Sequence, residues 1–225
     1  MNERVKDQFN TLSSEYDARR RLIIPCFDEL YGSGLGLLSY KGDDPAVLDV
    51  GAGTGIYSAA LLPRYPKAKL TLIDFAENML DVAREKFSGL DGASFLLDDF
   101  FTHDYGDSRF DIVISALSIH HLDRDDKKSF YVKLYSLLEI GGEFLNADIV
   151  SSGCPEIDTK YDDQWTDFVT GNIGEGEYLE RFRKSKELDK PSTVLEQIVY
   201  LLEAGFQIAD CVFKSNNFAV LYAKK

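Results

Sequence analysis

Between Ala46 and Asp148 the chain alternates short apolar runs with segments whose apolar residues recur at helical spacing. The runs are "AVLDV", "KLTLID", "ASFLLD", "FDIVIS" and "GEFLNA", and the segments between them include "GIYSAALLPRY", "AENMLDVAREKF" and "RDDKKSFYVKLYSLLE". Continuous apolar runs of this length suit strands buried on both faces, and parallel strands need helical crossovers to connect them. The alternation therefore predicts an α/β fold, a doubly wound, Rossmann-like sheet that is mostly parallel. A chain of 225 residues, 44% of them hydrophobic, can fill one such core and little more.

The two ends and one internal stretch fall outside this rhythm. Residues 1–45 read as an N-terminal helical cap, with Val5, Phe9 and Leu12 on one face, a polar break at "SSEYD", and Ile23, Phe27, Leu30 and Tyr31 around Pro25. Residues 151–190 read as an inserted helical lid, with Tyr161, Trp165 and Phe168 at helical spacing, a "TGNIGEGE" break and a charged helix "EYLERFRKSKEL". The core, 46–150, resumes over 191–225. Thr193 and Glu196 have capping-box spacing, Gly205 sits where a helix ends, and "FQIADCVFK" and "NNFAVLYAKK" form a closing antiparallel hairpin joined by an "SN" turn, which brings the sheet to seven strands.

Composition narrows the partners. The formal net charge is −13 with acids spread through the chain, which disfavours nucleic acid. No run approaches the roughly 20 apolar residues of a membrane span, and "MNERVKDQFN" lacks a signal-peptide core, so a cytoplasmic protein is expected. Cys26, Cys154 and Cys211 are widely spaced and form no C-x-x-C pair, so no metal site is expected from them. The aromatic stripe at Tyr161, Trp165 and Phe168 suits the core or the surface of a homodimer more than the roof of a pocket.

Ligands of doubly wound sheets bind outside the carboxyl ends of the strands, where "VLDVGAGTG" brings Gly51, Gly53 and Gly55 together with Asp74, Asp99, Ser115 and Ala116. Glycines remove side chains where a ligand must touch backbone. A dinucleotide site wants a glycine at position 56, which is Ile, and the carboxylate of Asp49 would repel a phosphate. It suits a positively charged ligand.

"LDVGAGTG" resembles the first motif of class I S-adenosylmethionine-dependent methyltransferases, "LTLIDFAENML" their second, and "FDIVISALSIHHL" their fourth strand and following loop. The resemblance is close over about 46–148 and holds in outline over 193–225. It implies S-adenosylmethionine as cofactor, S-adenosylhomocysteine as product, and transfer of a methyl group to a small-molecule acceptor by in-line displacement. By the same resemblance Asp49 supplies negative potential near the cofactor ammonium, Asp74 accepts the ribose hydroxyls, and Phe75 covers the adenine. Asp99 (or its neighbour Asp98) and the backbone of Phe100 read the adenine edge, while carbonyls at Ser115 and Ala116 hold the ammonium. Tyr16 in "SSEYDARRR" resembles an N-terminal segment folded over the cofactor, and the run that follows it offers Arg21, or its neighbour Arg20, as the cation for the methionine carboxylate or an acidic substrate. His120, Asp148 and Trp165 are expected on the acceptor side, with His121 as a candidate general base, although methyl transfer from a sulfonium often needs only alignment and a dry pocket. Three alternatives stay open: a nicotinamide-dependent dehydrogenase, which shares the fold but is opposed by Ile56 and Asp49; a noncatalytic cofactor-binding protein, which would keep the loop and lose the acceptor pocket; and an RNA-modifying methyltransferase, opposed by the net charge of −13.

Overall fold

Alternation along the first strand sets the two layers of the core. In strand β1 (Ala46–Val50) Val47 packs into one hydrophobic cluster and Leu48 and Val50 into another, as a side-chain period of two requires. Asp49 shares the face of Val47. The computed structural model describes residues 16–176, 182 and 186–225, with the side chains of Tyr16 and Ala18 outside that description.

Strands β1, β2 (Lys69–Asp74), β3 (Ser94–Leu97), β4 (Phe110–Ala116) and β5 (Leu138–Ile149) are parallel, and β6 (Ile208–Ser215) and β7 (Phe218–Lys224) close the sheet antiparallel. The order is β3-β2-β1-β4-β5-β7-β6. Chain direction along the sheet reverses between β1 and β4, which opens a crevice at their carboxyl ends.

Helices α1 (Tyr16–Ile23), α2 (Phe27–Gly32), α3 (Ile56–Leu61) and α4 (Glu77–Lys86) precede β3 in the chain. Tyr31, Tyr57, Leu61 and Leu80 from α2, α3 and α4 bury against the face of Val47. Helices α5 (Arg124–Leu137) and α7 (Val194–Glu203) cover the opposite face with Phe130, Tyr131, Leu134 and Leu201. Helix α6 (Pro155–Ile173) carries the inserted segment and packs against α1: Trp165 Nε1 donates to the Ile23 carbonyl at 2.7 Å and Asn172 Nδ2 to that of Leu22 at 3.2 Å.

Several local expectations meet their structure here. Thr193 and Glu196 form a reciprocal capping box at the start of α7. The hairpin turn falls at Asn216–Asn217, one residue later than "SN", because Asn216 takes the left-handed conformation (φ 49°) that tight hairpins need and Asn tolerates. Helix α1 begins inside the polar break, at Tyr16. The apolar face at Val5, Phe9 and Leu12, and all of the charged helix except Phe182 and Lys186 to Leu188, lie outside the described residues.

Candidate functional site

The chain leaves β1 at Val50 and turns through Gly51, Gly53 and Gly55, all at positive φ, into α3. A Cβ on Gly51 would lie 1.9 Å from Ser118 Oγ, so only glycine lets the loop pass over the strand end of β4. Gly53 is different. A Cβ there meets only Met79 Cε at 3.5 Å, so the backbone faces open space and is accessible to a ligand.

Beneath this loop Asp49 is buried, and burial pushes its carboxyl up to about 7 even though Ser58 Oγ donates to Oδ2 at 2.6 Å. Its Oδ1 and the hydroxyl of Tyr57 are buried and have no hydrogen-bond partner among the described residues. A buried carboxylate oxygen and a phenol lining one cleft beside bare glycine backbone fit a ligand that brings a cation and hydrogen-bonding groups.

Asp74 ends β2 with both oxygens already at work: Oδ2 accepts from Gly53 N and Oδ1 from Ala76 N, each at 2.8 Å. Burial raises its pKa to about 6 against the pull of those amides. A carboxylate has room for further donors on each oxygen, so Asp74 both shapes the loop and remains able to accept from a ligand. Phe75 and Ala116 line the same cleft. Ser115 does not: its Oγ donates to the Val50 carbonyl at 2.9 Å and ties β4 to β1. Asp99 and Phe100 also lie outside the lining: Asp99 Oδ1 accepts from Phe101 N at 2.9 Å, and Phe100 is buried in the core cluster against Phe130. Asp98 is paired with His103 at 2.7 Å.

Of the two arginines that the sequence leaves open for the cofactor side, Arg20 lies at the cleft and Arg21 does not. Arg21 is paired with Asp28 at 2.7 Å on the surface and stacks over Phe27, whereas Arg20 lines the cleft. One residue is about 100° of helix rotation, which turns Arg21 away from the face that α1 presents to the loop. That face is fastened by Asp17, which accepts from Thr54 Oγ1 at 2.5 Å and pairs with Lys86 at 2.6 Å. With α1 seated, the cleft holds only about 40 Å³, well below the roughly 300–1,000 Å³ of ordinary ligand pockets.

A second cavity, of about 490 Å³, adjoins it and shares Arg20, Leu117 and His121 as walls. Trp165, Tyr161 and Ile149 contribute apolar surface and Asp158 and Asp162 carboxylates. His120 is buried with Nδ1 2.5 Å from Asp148 Oδ1 and Nε2 3.3 Å from Asp189 Oδ1. Burial disfavours its charge, but the two carboxylates overcome that and hold its pKa at about 9. Such a ring is charged at neutral pH and cannot take a proton. His121 is pushed down to about 3 by burial and by the charge of His120, so it is neutral and only weakly basic. Asp148 stands behind His120 instead of in the cavity wall.

Sequence reasoning missed two residues here. Leu117 adopts φ 52°, a conformation costing a branched side chain about 1–3 kcal/mol, and it does so on the wall between cleft and cavity. No sequence signal marks it. Asp189 lies far along the chain from the histidines it faces and looks like one acid among many.

A methyltransferase-domain family model matches residues 47–142. The malonyl-[acyl-carrier protein] O-methyltransferase 1 of Ilyobacter polytropus is 32% identical over 97 residues, which are 43% of this chain and 35% of that protein. The carboxy-S-adenosyl-L-methionine synthase of Nautilia profundicola is 24% identical over 232 aligned residues, covering 100% of this chain and 97% of that one. Other curated relatives are longer, and the matched part spans 25–63% of their length. Among solved structures, the complex described as DhpI-SAM-HEP superposes with a TM-score of 0.66 at 20% identity, over 99% of this chain and 95% of that one. Over residues 47–142, which hold the glycine loop and the strands from β1 to β4, the chain is similar to methyltransferase domains.

Proposed function

We propose that the protein binds S-adenosylmethionine in the glycine-loop cleft and transfers its methyl group to a small molecule held in the adjoining cavity. The observation that carries this reading is the common wall: Arg20, Leu117 and His121 line both spaces, so a group bound in one faces a group bound in the other. The cofactor, when bound, supplies an electrophilic methyl carbon on a sulfonium. Asp49 would meet its ammonium, Asp74 its ribose hydroxyls, Phe75 its adenine, and Arg20 its carboxylate. The apolar residues around Leu117 and Trp165 keep water from the reacting centre. Aligning the acceptor along the line of displacement is then most of the catalytic task. His121, neutral on that wall and only weakly basic, shapes the boundary between the two spaces instead of serving as a strong base. Asp99 and Phe100 would act only if their loop moved toward the adenine.

The end-to-end alignment with a carboxy-S-adenosyl-L-methionine synthase supports a second reading, in which the cleft takes a carboxylated form of the same cofactor. Calorimetry with S-adenosylmethionine, S-adenosylhomocysteine, the carboxylated cofactor and NAD distinguishes the readings. Saturating S-adenosylhomocysteine at a hundred times its Kd is expected to stabilise the fold by about 2.7 kcal/mol, a melting shift of roughly 5–10 °C for a domain of this size, with no response to NAD. Preference for the carboxylated form would favour the second reading. No response to any methionine-derived ligand would overturn both. Incubation with a panel of small metabolites, read by mass spectrometry, then identifies the acceptor.

A further inference from the structure

Three metal-ligating side chains converge on the wall of the 490 Å³ cavity, from two separate parts of the chain. His120 and His121 stand together on the short turn Ile119–His121 that follows β4, their rings 4.1 Å apart, and Asp189 reaches them from the end of the inserted segment. Asp189 Oδ1 is 3.3 Å from His120 Nε2 and 3.4 Å from His121 Nδ1, and the three donor atoms all lie within 4.8 Å of one another. Two donors held at about 2.0–2.1 Å by a tetrahedral ion stand roughly 3.4 Å apart. Two edges of the triangle already have that length, and the third has to tighten.

The support behind these groups is of the kind that metal-bound histidines require. Asp148 takes the other ring nitrogen of His120, which aims Nε2 at Asp189 and fixes the ring orientation. Backbone holds the two halves in register: Lys190 N donates to the His120 carbonyl at 2.9 Å, and the buried ammonium of Lys127 bridges the carbonyls of Leu122 and Lys190. Three protein ligands with their remaining side toward a cavity leave coordination positions for solvent or a bound molecule, the arrangement of reactive metal sites and not of closed structural ones.

We propose that His120, His121 and Asp189 form a binding site for one divalent transition-metal ion in the wall of this cavity. Two imidazoles and a single carboxylate suit zinc, iron(II), cobalt(II) or nickel(II), and are a poor match for magnesium or calcium, which take oxygen ligands. Binding replaces the proton on His120 Nε2 with the metal. In the place where the acceptor is read above to sit, and resting on that reading, the open positions select an acceptor with an oxygen donor.

The test uses the full chain without a polyhistidine tag, stripped with a chelator and titrated with cobalt(II). The expected result is one equivalent bound, with visible d–d absorption that zinc abolishes. His121→Ala and Asp189→Asn are each expected to weaken binding by at least about 100-fold, and Asp148→Asn by about 10–100-fold. Calorimetry with S-adenosylhomocysteine on the unsubstituted chain reports separately on the cofactor reading, and circular dichroism with a cooperative thermal melt shows that each variant is folded. Absence of stoichiometric binding, or binding that these substitutions leave unchanged, overturns the metal site whatever the cofactor result. Loss of cofactor binding with cobalt binding intact overturns the cofactor reading alone.

Discussion

Asp49 is a carboxyl group that the fold holds close to half-neutral at pH 7, since burial raises it from an ordinary 3.8 to about 7. Between those values the folded chain binds more protons than the unfolded one, so this residue's contribution to stability is full below about pH 4 and is lost as pH rises through 7. Asp49→Asn removes that dependence. The fall in melting temperature between about pH 5 and pH 8 is expected to be smaller in the variant, with the remainder owed in part to Asp74, which titrates near 6. Affinity for S-adenosylhomocysteine is expected to drop at least about tenfold, the worth of a hydrogen bond to a charged group. The glycines separate in the same way. Gly53→Ala pays for left-handed backbone, about 1–2 kcal/mol by denaturant unfolding, because the space above it is open. Gly51→Ala is expected to cost clearly more, since its Cβ collides with Ser118, and Ser118→Gly should recover part of the difference.

Helix α1 depends on its neighbours more than on its own sequence. It has eight residues, too few to be stable alone, and is held by Trp165 and Asn172 of α6 on one side and by the Asp17 contacts on the other. Trp165→Phe removes the bond to Ile23 and keeps the packing. Amide exchange at residues 20–24 is expected to accelerate about tenfold or more while β1 and β4 stay protected; equal exchange in both proteins would show that the bond does not hold the helix. Elements of this kind also mark where sequence reading ends. The five parallel strands, the glycine turn and the capping box were legible because each is dictated by residues close together: apolar runs, a φ only glycine adopts, a Thr and Glu three apart. The placement of Arg20 in preference to Arg21, the inward turn of Ser115 and the meeting of Asp189 with His120 depend on how distant elements pack. A local pattern does not carry that information.

The whole molecule is strongly acidic, with a net charge of −13, and self-repulsion weakens a compact state most at low ionic strength. Raising salt from about 10 to 300 mM shortens the Debye length from about 30 Å to below 8 Å and is expected to raise the melting temperature by a few degrees. A flat or falling response would show that surface ion pairs such as Lys67–Asp43 and Arg84–Asp81 outweigh the repulsion. The same scale gives the shared wall its consequence. Helix α1 bounds the cleft through Arg20 and, through Arg19, Arg20 and Ile23, forms part of the adjoining 490 Å³ cavity on the other side. A movement of α1 away from the first space would therefore also remove a wall of the second. Turnover under the proposed reading then has a compulsory order: the methyl donor enters first, α1 reseats, and only then is there a finished surface for the acceptor. The spent donor leaves last. In steady-state kinetics S-adenosylhomocysteine is expected to compete with the methyl donor and to inhibit noncompetitively toward the acceptor, and crowding the solution with acceptor cannot hurry a helix that it does not itself displace.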